Sequence, residues 1–138
     1  MADCWAVTVD TDVTNTPYVM QAGMVAFCDE NSTLNFTDCN WTSTLTNSRT
    51  NSNDRSGGFL AHTKGGITLT AENCTLSGNI NHSNKTSDAR VGGLVADIEE
   101  NSTNPSQITL KNLTVSATVS AANAGKNNYC GGLLGCHC

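Results

Sequence analysis

Gly92-Gly93-Leu94-Val95-Ala96 is the stretch on which the fold turns, because its pattern returns along the chain at nearly constant spacing. It recurs as Ala22-Gly23-Met24-Val25-Ala26, Gly57-Gly58-Phe59-Leu60-Ala61 and Gly131-Gly132-Leu133-Leu134-Gly135. The second glycines fall at 23, 58, 93 and 132, so the intervals are 35, 35 and 39 residues. Self-similarity at such a period is the signature of a repeat architecture. One Gly-Gly would read as a flexible turn, but four phased copies read as a structural corner, where the backbone takes positive φ or runs close to a neighbour.

Nineteen residues before Gly23, Gly58, Gly93 and Gly132 stand Cys4, Cys39, Cys74 and Leu113. From there Cys39 to Leu45, Cys74 to Ile80 and Leu113 to Val119 align without gaps and alternate strictly. Period-2 alternation marks a strand with one buried face. Stacking the copies predicts inward columns Cys39/Cys74/Leu113, Trp41/Leu76/Val115, Ser43/Gly78/Ala117 and Leu45/Ile80/Val119. The outward columns are then Thr42/Ser77/Ser116, Thr44/Asn79/Thr118 and Thr46/Asn81/Ser120. Leu34-Asn35-Phe36, Leu69-Thr70-Ala71 and Ile108-Thr109-Leu110 align as a middle strand, giving about three strands per coil.

Like over like in every column is what a parallel β-solenoid requires, since each coil pairs with the coils above and below at about 4.8 Å. The expected fold is therefore all-β: a single parallel β-solenoid domain over residues 1–138, of about four coils. Its repeats run 1–21 (partial), 22–56, 57–91, 92–130 and 131–138 (partial). Trp5-Ala6-Val7-Thr8-Val9 reads as an atypical first rung, its Trp5, Val7 and Val9 matched to Trp41, Ser43 and Leu45 with one residue of slippage. Thr46 to Arg55, Asn81 to Arg90 and Ser120 to Asn128 read as loops on one flank, and the four extra residues of the third repeat fall in Glu99 to Gln107.

The glycine blocks at Gly57–Ala61, Gly92–Ala96 and Gly131–Gly135 resemble the GLUG motif, a Gly-Gly-Leu-Val-Gly core found in secreted or surface-attached β-solenoid proteins, many described as adhesins. Three of the four copies depart from that motif, closing on Ala26, Ala61 and Ala96 where the family has glycine. The resemblance spans roughly Ala22 to Cys138 and implies an extracellular or cell-surface structural or adhesive module with glycan or host-surface partners.

Composition narrows the function classes. Net charge is −5, only 14% of residues are charged, and no basic cluster occurs, so nucleic-acid binding has no electrostatic footprint. No apolar run approaches the roughly 18 residues of a membrane span, so membrane insertion is not expected, and Met1-Ala2-Asp3 lacks the basic, apolar opening of a signal peptide. No cofactor or metal is expected: no cysteine pair shows C-x₂-C spacing, and Cys136-His137-Cys138 stands alone.

Neither Ser/His/Asp nor Cys/His order stands out, and His62, His82 and His137 occupy unrelated phases of the repeat, so no catalytic residue is assigned and a non-enzyme is expected. The rival class is a carbohydrate-acting β-solenoid enzyme, for which Asp97, Glu99 and Glu100 are the nearest carboxylates; they read as a solvated loop. An ice-binding face is a weaker rival, because Ser and Asn interrupt its threonine columns.

Asparagine lies in acceptor sequons at Asn31, Asn35, Asn40, Asn73, Asn81, Asn84, Asn101 and Asn112. All but Asn73, which stands beside an inward cysteine, are candidate glycosylation sites; eight sequons are about twice the random number for this composition. Cys39 over Cys74 fits a small apolar column or a disulfide, since adjacent rungs bring Cα atoms within disulfide range. A solenoid end exposes strand edges and core, so head-to-tail homopolymerisation into a filament is a further expectation, with Cys4 at one end and Cys130, Cys136 and Cys138 at the other available as covalent locks.

Overall fold

The computed structural model of the protein describes residues 2–5, 8–9, 13–14, 20–47, 54–83, 88–122 and 127–137. These form strands and connecting turns with no helix. Coil 1 carries β1 (Ala2–Trp5), β2 (Thr8–Val9), β3 (Val13–Thr14), β4 (Met20–Ala22) and β5 (Val25–Cys28). Coil 2 carries β6 (Thr33–Thr37), β7 (Asn40–Trp41), β8 (Thr44–Asn47), β9 (Asp54–Gly57) and β10 (Leu60–Thr63). Coil 3 carries β11 (Thr68–Glu72), β12 (Thr75–Leu76), β13 (Asn79–His82), β14 (Ala89–Gly92) and β15 (Val95–Ile98). Coil 4 carries β16 (Gln107–Lys111), β17 (Thr114–Val115), β18 (Thr118–Ala121), β19 (Asn128–Gly131) and β20 (Leu134–His137). Each coil contributes one strand to each of five parallel four-stranded sheets, numbered here in chain order from the first (β1, β6, β11, β16) through the second (β2, β7, β12, β17), third (β3, β8, β13, β18) and fourth (β4, β9, β14, β19) to the fifth (β5, β10, β15, β20), which makes the fold a β-solenoid of four coils.

The columns read from the sequence stack as expected. Trp41, Leu76 and Val115 are register partners, as are Leu45, Ile80 and Val119, and Leu34, Leu69 and Ile108. Between β7 and β8 the coil-to-coil ladder continues, with Ser77 N donating to Trp41 O and Asn79 N to Ser43 O. The core runs up the axis through Phe36, Trp41, Leu45, Phe59, Leu69, Leu76, Ile80 and Val95, all at most 2% exposed. Burying one such side chain contributes roughly 1.5–3 kcal/mol.

Two expectations are corrected. Each coil has five strands rather than about three: the alternating segments 39–45, 74–80 and 113–119 each divide between two sheets, as β7 and β8 do, and β9, β14 and β19 begin at the ends of segments expected to be loops, presenting Asp54, Ser56 or Arg90 where an apolar alternation would have marked them. The first coil is in a different phase: Cys4 pairs with Phe36 rather than joining the Cys39/Cys74 column, Trp5 pairs with Thr37, and Val9 lies beside Trp41. Coil 1 is offset by 32 residues there and by 35 from β4 onward, and a short alternating segment fits several such registers equally well until a whole coil is stacked on it. The four extra residues of the third repeat do fall where expected, between Ile98 and Gln107.

At the Gly-Gly corners close approach is the operative constraint. Gly66 alone among the described glycines has positive φ, at 79°. Gly23, Gly58, Gly93 and Gly132 form a column in which Gly23 N donates to Gly58 O at 2.8 Å and Gly58 N to Gly93 O at 3.1 Å. A Cβ on Gly58 or Gly93 would fall within 3.0 Å of the next coil's carbonyl oxygen, so the corner stacks only without side chains.

Positive φ is carried by asparagine and aspartate instead. Asp38, Asn73 and Asn112 take φ of 55°, 55° and 50° at the turn before the cysteine column, a left-handed region these residues tolerate best. Asn112 Nδ2 donates to Asn73 Oδ1 at 3.0 Å, linking two coils through their turns.

Candidate functional site

The densest chemistry lies where the fourth and fifth sheets meet. Arg55 and Arg90 are register partners on β9 and β14, with Tyr129 next on β19. Phe27, His62 and Asp97 are successive partners on β5, β10 and β15. Arg55 Nε bonds Asp97 Oδ2, His62 Nδ1 lies 3.2 Å from the same oxygen, and Arg90 Nε lies 3.4 Å from Asp97 Oδ1. Glu99 Oε1 approaches His62 Nε2 at 3.4 Å and Arg55 Nη2 at 3.9 Å. The Arg90 guanidinium sits 5.6 Å from the centroid of Tyr129, and the Phe27 and His62 rings are 5.5 Å apart.

Asp97 is thus corrected from a solvated loop residue to a strand residue that is 2% exposed. Sequence reasoning missed it because its partners lie seven to 42 positions away, and no local spacing signals a pairing across coils. Burial works against its charge, but the hydrogen-bonding contacts from His62 and Arg55 and the attraction of Arg55 and Arg90 outweigh that, holding the carboxyl below the usual carboxylate range. A carboxylate engaged by two guanidiniums and an imidazole acts as an electrostatic staple between coils 2 and 3. Glu99 and Glu100 are exposed, as expected.

A second polar group lies inside the solenoid. Asn47 Nδ2 donates to Ser56 Oγ at 3.3 Å, and Ser56 Oγ lies 3.0 Å from His82 Nδ1. Asn47 and His82 are register partners, both at most 2% exposed, with buried Asp54 at the start of β9. His82 Nε2 has no hydrogen-bond partner among the described residues. Desolvation pushes the His82 pKa down from 6.5 to about 4.

The unfolded chain takes up a proton at His82 near pH 6.5 and the folded protein only near pH 4, so this contribution is fully present above pH 6.5 and is lost as pH falls to about 4. The loss is on the order of 3 kcal/mol. Urea unfolding at pH 7 and pH 4.5 should show it, and His82→Asn, which places the same residue as Asn47 in that column, should flatten it; an unaltered pH dependence would locate the acid sensitivity elsewhere.

The sequon asparagines do not gather into a site. Asn31, Asn81 and Asn112 are exposed, Asn35 and Asn40 are half-buried on coil 2, Asn101 is half-buried in the connection between β15 and β16, and Asn84 lies outside the described residues. Asn101 Oδ1 accepts from Thr103 N at 3.1 Å and Asn104 N at 3.0 Å, which closes the turn of the long third connection. Cys39 and Cys74 do stack, but as buried thiols and not as a disulfide: Cys39 Sγ donates to Thr37 O at 3.4 Å and Cys74 Sγ to Glu72 O at 3.2 Å. Burial raises the Cys74 thiol pKa, which keeps it protonated and donating.

Two surfaces remain. A recess of about 250 Å³ lined by Ala117, Val119, Cys130, Gly131 and Gly132 opens on the outer side of coil 4 and holds no charged group. The other is the outward face of the second and third sheets, where positions 40–46, 75–81 and 114–120 present only Thr, Ser and Asn, exposed or half-buried, along a continuous ladder. Among the described residues no helix is long and apolar enough to cross a membrane, and no group of three or more His, Cys, Asp or Glu is placed to hold a metal ion. No family model matches the chain, and no curated protein or solved structure matches it either.

Proposed function

We propose that the chain is a structural and adhesive β-solenoid module of the cell surface or extracellular space, whose outward face on the second and third sheets binds neutral polysaccharide. The observation that carries this reading is the composition of that face: in coils 2 to 4 all of its outward positions are hydroxyl or carboxamide residues, with no charge among them. Each offers both a donor and an acceptor, repeated at about 4.8 Å along the stack by the rungs themselves. A repeating uncharged donor and acceptor lattice suits an extended chain of sugar hydroxyls, and β-branched threonine gives up little rotamer freedom on binding. The resemblance to GLUG repeats supports the extracellular setting. The engagement of Asp97 and Glu99 with Arg55 and His62 supports binding over glycoside hydrolysis, which needs two carboxyl groups facing a substrate.

The test is retention on insoluble neutral polysaccharides, with cellulose and chitin as probes and an anionic polysaccharide as control. Wild type is expected to bind the neutral polymers, and Asn79→Lys, at an exposed position in the middle of the array, to weaken binding at least tenfold with an unchanged melting temperature. Failure of wild type to bind either neutral polymer, or indifference to Asn79→Lys, would remove the basis for the reading.

A further inference from the structure

Glu99 sits over two buried donors that it fills poorly. Its Oε1 is the meeting point of His62 Nε2, at 3.4 Å, and Arg55 Nη2, at 3.9 Å. A charge-assisted hydrogen bond from nitrogen to carboxylate runs at about 2.7–2.9 Å, so both contacts are ion-pair distances that a better-placed carboxylate would shorten. The donor side chains are only 5% and 13% exposed, whereas that of Glu99 is 49% exposed. Their aim is fixed from behind. Asp97 Oδ2 engages Arg55 Nε and His62 Nδ1, which leaves Arg55 Nη2 and His62 Nε2 to converge on Glu99. Carboxylate oxygens thus face both ring nitrogens, and a ring that donates at both is the imidazolium.

The backbone beneath this arrangement is held throughout. Arg55, His62 and Asp97 lie within β9, β10 and β15, each of which is paired on both sides. Glu99 follows β15 directly and its N donates to Thr63 O at 3.0 Å. Its side chain can therefore leave by rotation about its own bonds, with no strand moving. The donors belong to coils 2 and 3, so the site rests on neither end of the stack.

We propose that the Arg55 and His62 donors form a binding site for a ligand carboxylate, that of an acidic sugar, and that Glu99 occupies this site as a built-in competitor. The ligand carboxylate takes the place of Glu99 Oε1, accepts from Arg55 Nη2 and His62 Nε2 at hydrogen-bond distance, and Glu99 turns out to water. Donors that are already oriented cost little to order on binding, and a solvent-screened ion pair such as that of Glu99 is cheaply displaced. Lys64, 48% exposed, lies close enough to feel the charge of Glu99 and is itself 2.9 Å from Asp29. That exposed pair supplies a donor and an acceptor beside the site for ring hydroxyls, which favours a sugar acid. The sugar assignment also draws on the polysaccharide reading, whereas the carboxylate site stands on this geometry alone.

The test follows the His62 ring signals by NMR at about pH 6, near the ordinary histidine pKa, during titration with sodium acetate, sodium glucuronate and N-acetylglycine. Sodium chloride at matched ionic strength is the blank. Glu99→Ala is expected to melt as wild type does and to bind acetate and glucuronate saturably, roughly fivefold tighter than wild type. Glucuronate should bind about threefold tighter than N-acetylglycine, which represents a peptide carboxylate. Asn79→Lys, on the neutral face, should leave these titrations unchanged, so loss of polysaccharide binding and loss of this site are read separately. A Glu99→Ala protein that gives no saturable response to acetate, or the same response to chloride, overturns the site. Equal affinities in wild type and Glu99→Ala overturn the role of Glu99, and N-acetylglycine binding as tightly as glucuronate overturns the sugar assignment.

Discussion

Gly78→Leu is expected to abolish the cooperative thermal transition of this protein. Gly78 belongs to the small inward column Ser43/Gly78/Ala117, and the Trp41 ring from the coil below fills the space its side chain would take. Even a Cβ there would fall within 3.0 Å of Ser43 O and of the Trp41 atoms Cη2 and Cζ3. Overpacking costs about 1–3 kcal/mol when neighbouring side chains can shift. At Gly78 one obstacle is a backbone carbonyl already accepting from Asn79 N at 2.9 Å, so relief means breaking the ladder that joins the coils. The loss should therefore reach or exceed about 3 kcal/mol. Ala117→Leu, in the same column but half-exposed beside the open recess of coil 4, should cost far less. Circular-dichroism melts of both variants decide the matter, and equal melting temperatures would show that the Trp41 contact does not govern this column.

Asp97→Ala should be comparably damaging for an electrostatic reason. It would leave Arg55 and Arg90, at 13% and 18% side-chain exposure, facing one another across adjacent coils without the buried carboxylate between them. Removing one member of a buried ion pair costs about 3–5 kcal/mol, mostly as the charge left uncompensated. The exposed pair of Lys64 and Asp29, 2.9 Å apart, supplies the contrast: solvent screens it, and Lys64→Ala should leave stability nearly unchanged. Urea titrations of both variants at neutral pH test the difference, and an Asp97→Ala loss no larger than that of Lys64→Ala would show the cluster to be solvated. Because the folded carboxyl is held below its ordinary value, its contribution is present above the usual carboxylate pKa and is lost as pH falls below it. That window lies beneath the one assigned to His82, so the two acid responses are separable.

The sequence by itself determined the architecture. Four phased glycine corners and the apolar alternation of 39–45, 74–80 and 113–119 admit few arrangements other than stacked parallel coils, because hydrophobic period and repeat period are local properties that every copy restates. Leu45, Ile80 and Val119 share a column for that reason. The phase of the first coil, the strands β9, β14 and β19, and the staple around Asp97 were settled only by the tertiary structure. A short alternating strand tolerates a slipped register until a complete neighbouring coil excludes it. Polar strands at a corner carry no periodic signal, and an ion pair between Arg55 and Asp97, 42 residues apart, exists only once the coils have stacked.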